Sequence, residues 1–213
     1  MATVTLKRRL TNPFRAMVMT EQHKSEATPD LRADERYDDG LLVAWQNGRA
    51  QAFDELYDRH SQALFSYLYR NCRHEAQANE MFQDVWVRVI SSAASYQHRG
   101  RFRSWLFTLA HNRLVDYYRR AEHQYQTESA DDLGGTDVPP EQQAEQAEER
   151  QQLQDSLDTL PPEQRQAFYL REECGFSIAD IAVIQGITAE AAKSRLRYAY
   201  QKLRDQLNRR TMP

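Results

Sequence analysis

The sequence predicts an all-α protein: two small helical domains joined by an acidic flexible linker, the second a helix-turn-helix. Three observations carry that expectation. Gly is scarce, 7 in 213 residues, and none lies between Gly48 and Gly100 or between Gly100 and Gly134. These stretches are rich in Ala, Leu, Glu, Gln and Arg, residues that lose little conformational freedom on entering a helix. Apolar side chains recur along them three and four apart, the period of an amphipathic helix.

Residues 1–36 mix both charges with Pro13 and Pro29 and show no sustained period, so a disordered extension is expected there, with Met17 and Met19 as alternative starts. From Asp38 the pattern changes. Leu41, Leu42 and Trp45 mark a short helix that Asn47-Gly48 stops. A second helix carries Phe53, Leu56, Tyr57, His60, Leu64, Tyr67 and Leu68. A third, from about Ala76 to Ala93, carries Ala78, Met81, Phe82, Val85 and Val89. Beyond Gly100, Ser104 is the expected N-cap of a fourth helix running to about Arg120, with Trp105, Leu106, Leu109, Ala110, Leu114 and Tyr117 on its apolar side. Thr108, Asn112, Val115 and Arg119 face away from that side. The first domain is therefore set at 37–121.

Residues 122–152 read as the linker, with Gly134-Gly135 and Pro139-Pro140 inside an acidic run. The second domain, 153–210, opens with a helix that becomes amphipathic near Leu153, Leu157 and Leu160. It restarts after Pro161-Pro162, since Pro at a helix head removes only an amide hydrogen that would be unpaired there. Ser177-Ile178-Ala179-Asp180 resembles a capping box with Asp in place of Glu or Gln. It opens a two-turn helix that Gly186 ends. Thr188 caps the next helix, whose stripe is Ala192, Leu196, Ala199, Leu203 and Leu207.

Charge is distributed unevenly. The whole chain is formally −3, yet Gln97 to Arg120 holds six arginines against Asp116 alone, and Ala189 to Arg210 holds seven basic residues against Glu190 and Asp205. Between them, Ala121 to Arg150 holds nine carboxylates against Arg150. Two basic islands on helical segments suit a two-point grip on a polyanion. A short helix, a Gly-containing turn and a long basic helix form the helix-turn-helix pattern, for which the plain alternative is a helical hairpin with a solvated basic face. With Ala192, Leu196 and Ala199 inward, Glu190, Ser194, Arg197, Tyr198 and Gln201 point outward and Lys193 lies on the shoulder, where a major groove would lie. The Tyr96 to Trp105 loop combines rings and arginines, the pairing that grips single-stranded bases, although for Trp105 a core role is the simpler reading.

Other classes find no support. The longest apolar window, Ile178 to Ile184, is broken by Asp180 and falls far short of the roughly 18 residues a membrane span needs. The basic Leu6-Lys7-Arg8-Arg9 is followed only by Ala16-Met17-Val18-Met19 before Glu21, too short for a secretory core, so a cytoplasmic protein without direct membrane insertion is expected. Cys72 and Cys174 are far apart and are expected to be buried thiols. Cys72 and His74 could share a metal only with a second close pair, which is missing, so no metal and no cofactor is expected. No Gly-x-Ser-x-Gly, His-Glu-x-x-His or phosphate loop occurs, so an enzyme is not expected.

Three runs taken together resemble a known family. Phe53-Asp54-Glu55-Leu56-Tyr57-Asp58-Arg59-His60, Ala78-Asn79-Glu80-Met81-Phe82-Gln83-Asp84-Val85-Trp86 and Phe102-Arg103-Ser104-Trp105-Leu106, with Asn112 and Arg119-Arg120, resemble region two of bacterial extracytoplasmic-function sigma factors (group 4 of the sigma-70 family). Leu160-Pro161-Pro162-Glu163-Gln164-Arg165 through Leu203 resembles their region four. The resemblance implies an RNA polymerase initiation subunit. Region two would dock on the clamp of core polymerase and capture the melted minus-ten element. Region four would read the minus-thirty-five element and touch the flap, and the acidic linker would run toward the RNA exit path. Carried over by position, Glu80, Gln83, Asp84 and Trp86 would face core polymerase. His98, Arg99, Arg101, Phe102, Arg103, Asn112, Arg119 and Arg120 would meet minus-ten DNA. Glu190, Lys193, Ser194, Arg197 and Tyr198 would meet the minus-thirty-five duplex. An anti-sigma factor released by a stress signal is implied as a further partner. The chain departs from the family where Glu190-Ala191-Ala192 replaces the frequent Gly-Thr-Val and where Tyr198 replaces a common Arg. A helix-turn-helix repressor would leave the aromatic and basic loop without a role, and a sigma-like decoy would bind partners without initiating transcription.

Overall fold

The computed structural model describes residues 31–96, 101–127 and 153–210, and among them the regular structure is entirely helical. The elements are α1 (Leu31–Gln46), α2 (Ala50–Cys72), α3 (Glu75–Ser92) with a 3₁₀ turn at Ala93–Ser95, α4 (Phe102–Thr127), α5 (153–158), α6 (Pro162–Glu172), α7 (Ile178–Ile184) and α8 (Ala189–Arg210). The extension expected at 1–36 lies outside the described residues as far as residue 30. Helix α1 is longer than expected and crosses the boundary set at 36. Most of the linker, 128–152, also lies outside the described residues, whereas α4 continues through Thr127 rather than ending near Arg120.

Helices α2, α3 and α4 pack on one another, burying Leu56, Leu64 and Leu68 of α2, Met81, Val85 and Val89 of α3, and Leu106, Ala110 and Leu114 of α4, with Leu41 and Leu42 of α1 completing the core. Each Leu so buried contributes on the order of 1.5–3 kcal/mol. Gly48 ends the α1 connection at φ +92°, a conformation that a Cβ disfavours. Two buried carboxylates orient α1. Asp38 accepts from Arg59 Nε and contacts His60 Nε2, both at 2.8 Å. Asp39 accepts from the Tyr96 hydroxyl (3.1 Å) and from the Phe102 amide (3.2 Å).

That last bond corrects the expected start of α4. The helix begins at Phe102, so Ser104 lies inside it, buried, and its carbonyl accepts from Thr108 Oγ1 at 2.8 Å. A carboxylate from another helix takes the role assigned to a local serine, because an acceptor facing the orphan amides satisfies them wherever it comes from.

In the C-terminal group, Leu157, Leu160, Phe168, Leu170, Ile181, Ile184, Leu196 and Leu203 form the core. The local signals behave as expected. Asp180 N–H donates to Ser177 Oγ (3.2 Å) while Ser177 N–H donates to Asp180 Oδ2 (3.1 Å), a complete capping box. Gly186 turns the chain at φ +63°, and Thr188 Oγ1 accepts from the Ala191 amide at 3.2 Å. Cys174 is buried as expected and Cys72 is half-buried.

The two helix groups are in contact, α4 against α7 and α2 against α6, within one compact unit that begins at Arg32. Phe107 and His111 of α4, left off the expected apolar side, are both buried. Phe107 meets Tyr67 at 5.5 Å and Phe176 edge-on at 5.0 Å. Helix α4 thus has two buried sides, one toward α2 and α3 and one toward the C-terminal group.

Candidate nucleic-acid interface

Helix α8 owes its orientation to Ala192, Leu196, Ala199 and Leu203, all buried, and to the small Ala182 of α7, which lets the two helices approach. Opposite that stripe, Glu190, Lys193, Arg197, Tyr198 and Gln201 are exposed, and Ser194 is half-buried. The Arg197 guanidinium lies 5.1 Å from the Tyr198 ring centroid, so a cation and a ring project together from the middle of the helix. Arg195 behaves differently. Its Nη1 donates to Gln185 Oε1 (2.9 Å), while Gln185 Nε2 donates to the Glu163 carbonyl (3.1 Å), so Arg195 fastens α8 to the turn and to α6.

In the N-terminal group, Arg101, Asn112, Arg119 and Arg120 are exposed along α4 and its approach. His98 and Arg99 lie outside the described residues. Phe102 does not face solvent. It is 0% exposed, its ring 5.4 Å from His60, 6.4 Å from Tyr96 and 5.9 Å from Trp105. The expected base-facing ring is a core ring in this conformation, because the Asp39 bond to its amide begins the helix there and turns the side chain inward. Arg103 is half-buried, donates to the Cys174 carbonyl and lies 4.3 Å from the Phe176 ring centroid.

On α3, Glu80, Gln83 and Asp84 are exposed, and Asp84 pairs with Arg113 of α4. Trp86 departs from the expected outward placement. It is buried against Phe53 (5.7 Å), Tyr57 (4.9 Å) and Phe82 (6.4 Å), since it follows Phe82 by four residues and shares its side of the helix. Two residues that sequence reasoning passed over complete the outer face instead: Val87, 63% exposed, and Ile90, 52% exposed. Both are apolar at positions off the Ala78, Met81, Val85, Val89 stripe, and that mismatch was the available signal.

Burial, and then the Arg195 guanidinium, push the His111 imidazole down to about 4. Cys174 is pushed up to about 12 by burial. Both side chains are buried. Among the described residues no group of three or more His, Cys, Asp or Glu side chains could hold a metal ion, and no helix is long and apolar enough to cross a membrane.

Comparison with known proteins agrees with this layout. Residues 56–124 match the family model for sigma-70 region 2, and residues 150–203 match that for sigma-70 region 4. The RNA polymerase sigma factor CarQ of Myxococcus xanthus is 32% identical over 168 residues, 78% of this chain and 95% of the relative. The ECF RNA polymerase sigma factor SigM of Mycobacterium tuberculosis is 31% identical over 169 residues, 79% of this chain and 84% of the relative. Among solved structures, the sigma factor RpoE bound to the anti-sigma factor NepR, from Bartonella quintana, superposes with a TM-score of 0.64 at 23% identity, covering 73% of this chain and 96% of that one. CnrH, in complex with the cytosolic domain of CnrY, superposes at 0.61 and 24% identity, covering 81% and 97%. These two share the fold. With both regions in order and a relative of this identity matched almost end to end, the chain belongs to the extracytoplasmic-function sigma factors of the sigma-70 family.

Proposed function

We propose that the protein is an alternative sigma factor that binds core RNA polymerase in the cytoplasm and directs promoter recognition, strand opening and initiation. The observation that carries the reading is the exposed face of α8, where Lys193, Arg197 and Tyr198 project from a helix capped by Thr188 and entered through the left-handed Gly186 turn. That is the docking element a helix-turn-helix offers to a major groove. In this reading Glu190 and Ser194 join them on the minus-thirty-five duplex. Arg101, Arg103, Asn112, Arg119 and Arg120 engage minus-ten DNA, with His98 and Arg99 beside them. The outer face of α3, Glu80, Gln83, Asp84, Val87 and Ile90, docks on core polymerase, its two apolar side chains supplying the buried area that charges alone would not. An anti-sigma factor holds the protein inactive until a stress signal releases it. RpoE, which shares the fold, is bound to the anti-sigma factor NepR in its solved structure, and CnrH, which shares it too, to the cytosolic domain of CnrY.

Promoter-dependent transcription with purified core polymerase tests the reading. Run-off product that needs both this protein and an intact promoter is expected. A decoy would bind core without yielding product, and a repressor would bind palindromic duplex without core.

A further inference from the structure

Asp39 of α1 accepts two hydrogen bonds on one oxygen. Its Oδ1 takes the Tyr96 hydroxyl at 3.1 Å and the Phe102 amide at 3.2 Å, and the side chain is buried. Tyr96 directly follows the 3₁₀ turn and Phe102 is the first residue of α4, so a single oxygen with two lone pairs joins the two ends of the α3–α4 connection. Seven residues further along the same face of α1, Gln46 Nε2 donates to the Ala93 carbonyl at 2.5 Å. Helix α1 thus holds this connection at Ala93, Tyr96 and Phe102. The brace is itself fixed to α2, since the neighbouring Asp38 contacts Arg59 Nε and His60 Nε2 at 2.8 Å each, and the His60 ring lies 5.4 Å from that of Phe102.

The consequence falls on Arg101, whose side chain is exposed. A peptide group is planar, so the unit between Arg101 and Phe102 moves as one body. Both of its polar ends are taken: the Arg101 carbonyl accepts from the Trp105 amide at 3.0 Å, and the Phe102 N–H donates to Asp39. Any helix starting here would make the first bond. The second comes from another helix and sets the direction in which this peptide, and with it the Arg101 Cα, leaves α4. Groups that recognise a ligand must be held within about 0.5 Å of their productive place by neighbours that are themselves locked.

We propose that Asp39 is a positioning residue for strand capture: by joining the Tyr96 hydroxyl to the Phe102 amide it sets the root from which Arg101 reaches the melted minus-ten strand. The carboxylate is buried and would repel phosphate, so it acts through Arg101 and does not touch DNA. This role rests on the proposed minus-ten reading of Arg101.

The test is a double-mutant cycle on holoenzyme assembled from core polymerase and the full chain. The readout is equilibrium binding of a fluorescent single-stranded oligonucleotide carrying the non-template minus-ten sequence of a promoter that the wild-type holoenzyme transcribes. It is taken well below every variant's thermal midpoint, where a loss of stability alone leaves binding unmoved. Arg101→Ala is expected to weaken binding about tenfold. Asp39→Ala should weaken it about five- to tenfold in the wild-type background and less than about twofold beside Arg101→Ala, because a residue acting through Arg101 then has nothing to act through. Tyr96→Phe serves as the second variant should Asp39→Ala lose its helical circular dichroism. It removes one of the two bonds, keeps the ring 4.7 Å from Trp105, and should weaken binding about threefold, again only while Arg101 is present. Equal losses in both backgrounds, or unchanged binding by a folded Asp39→Ala holoenzyme, would overturn the positioning role. Failure of the minus-ten reading is seen separately, as oligonucleotide binding by Arg101→Ala equal to wild type.

Discussion

Phe102 distinguishes a core ring from a base-facing ring, and two substitutions separate the roles. The side chain is fully buried among His60, Tyr96 and Trp105. Truncation to Ala therefore removes a whole ring from a packed site, which costs about 3–5 kcal/mol. A cooperative unit of this size shifts its thermal midpoint by about 2–4 °C per kcal/mol, so Phe102→Ala is expected to melt about 6–20 °C lower. Phe102→Leu keeps an apolar side chain of similar volume and is expected to cost about 1 kcal/mol. Differential scanning calorimetry measures both. Permanganate reactivity of promoter thymines, taken with holoenzyme well below the variant midpoints, measures opening. Both variants should open DNA as wild type does at that temperature. A folded Phe102→Leu protein, within about 2 °C of wild type yet unable to open the promoter, would refute the core assignment and return the ring to the DNA.

Arg197→Ala is expected to reduce run-off transcription at least about tenfold on promoters with an intact upstream element, equivalent to about 1.4 kcal/mol, and less where that element is scrambled. Arg195→Ala should chiefly lower stability, by about 1.5–3 kcal/mol in urea titrations, because it cuts the bond to Gln185. A larger transcription loss for Arg195→Ala than for Arg197→Ala would show that the DNA-facing side of α8 is wrong. Ser177→Ala breaks the capping box and should cost about 1 kcal/mol of stability, with Thr188→Ala similar. His111 titrates at about 4 when folded against an ordinary 6.5, so the unfolded chain takes its proton first and stability falls as pH drops from about 6.5 to about 4. The contribution reaches about 3 kcal/mol below that window, and His111→Gln should flatten that part of the pH profile in urea titrations.

What the sequence made legible was local. The Ser177–Asp180 box, the Gly186 turn and the Thr188 cap are written within three or four residues, and the stripe of α8 follows from its period alone. The exposed positions of Arg197 and Tyr198 followed from that stripe. What stayed hidden was tertiary. A single apolar stripe on α4 could be counted, but Phe107 and His111 become core only because a second helix group covers them. The resemblance puts Trp86 outward although its spacing from Phe82 places it on the buried side, and it puts Phe102 against DNA although the ring lies in the core. Val87 and Ile90 stand as apolar residues on a polar face, a mismatch that motif resemblance does not register.

The bond between Asp39 and the Phe102 amide spans 63 positions, so the head of α4 leans on a helix synthesised well before it. A helix start is the expensive part of making a helix, and the acceptor for the first amide of α4 comes from α1. Synthesis delivers α1 first, so the carboxylate is already waiting when Phe102 emerges. Until α1 has docked through Asp38 onto Arg59 and His60, the first amide of α4 lacks this acceptor. The head of α4 is therefore expected to become firm only after the first helix has found its neighbours.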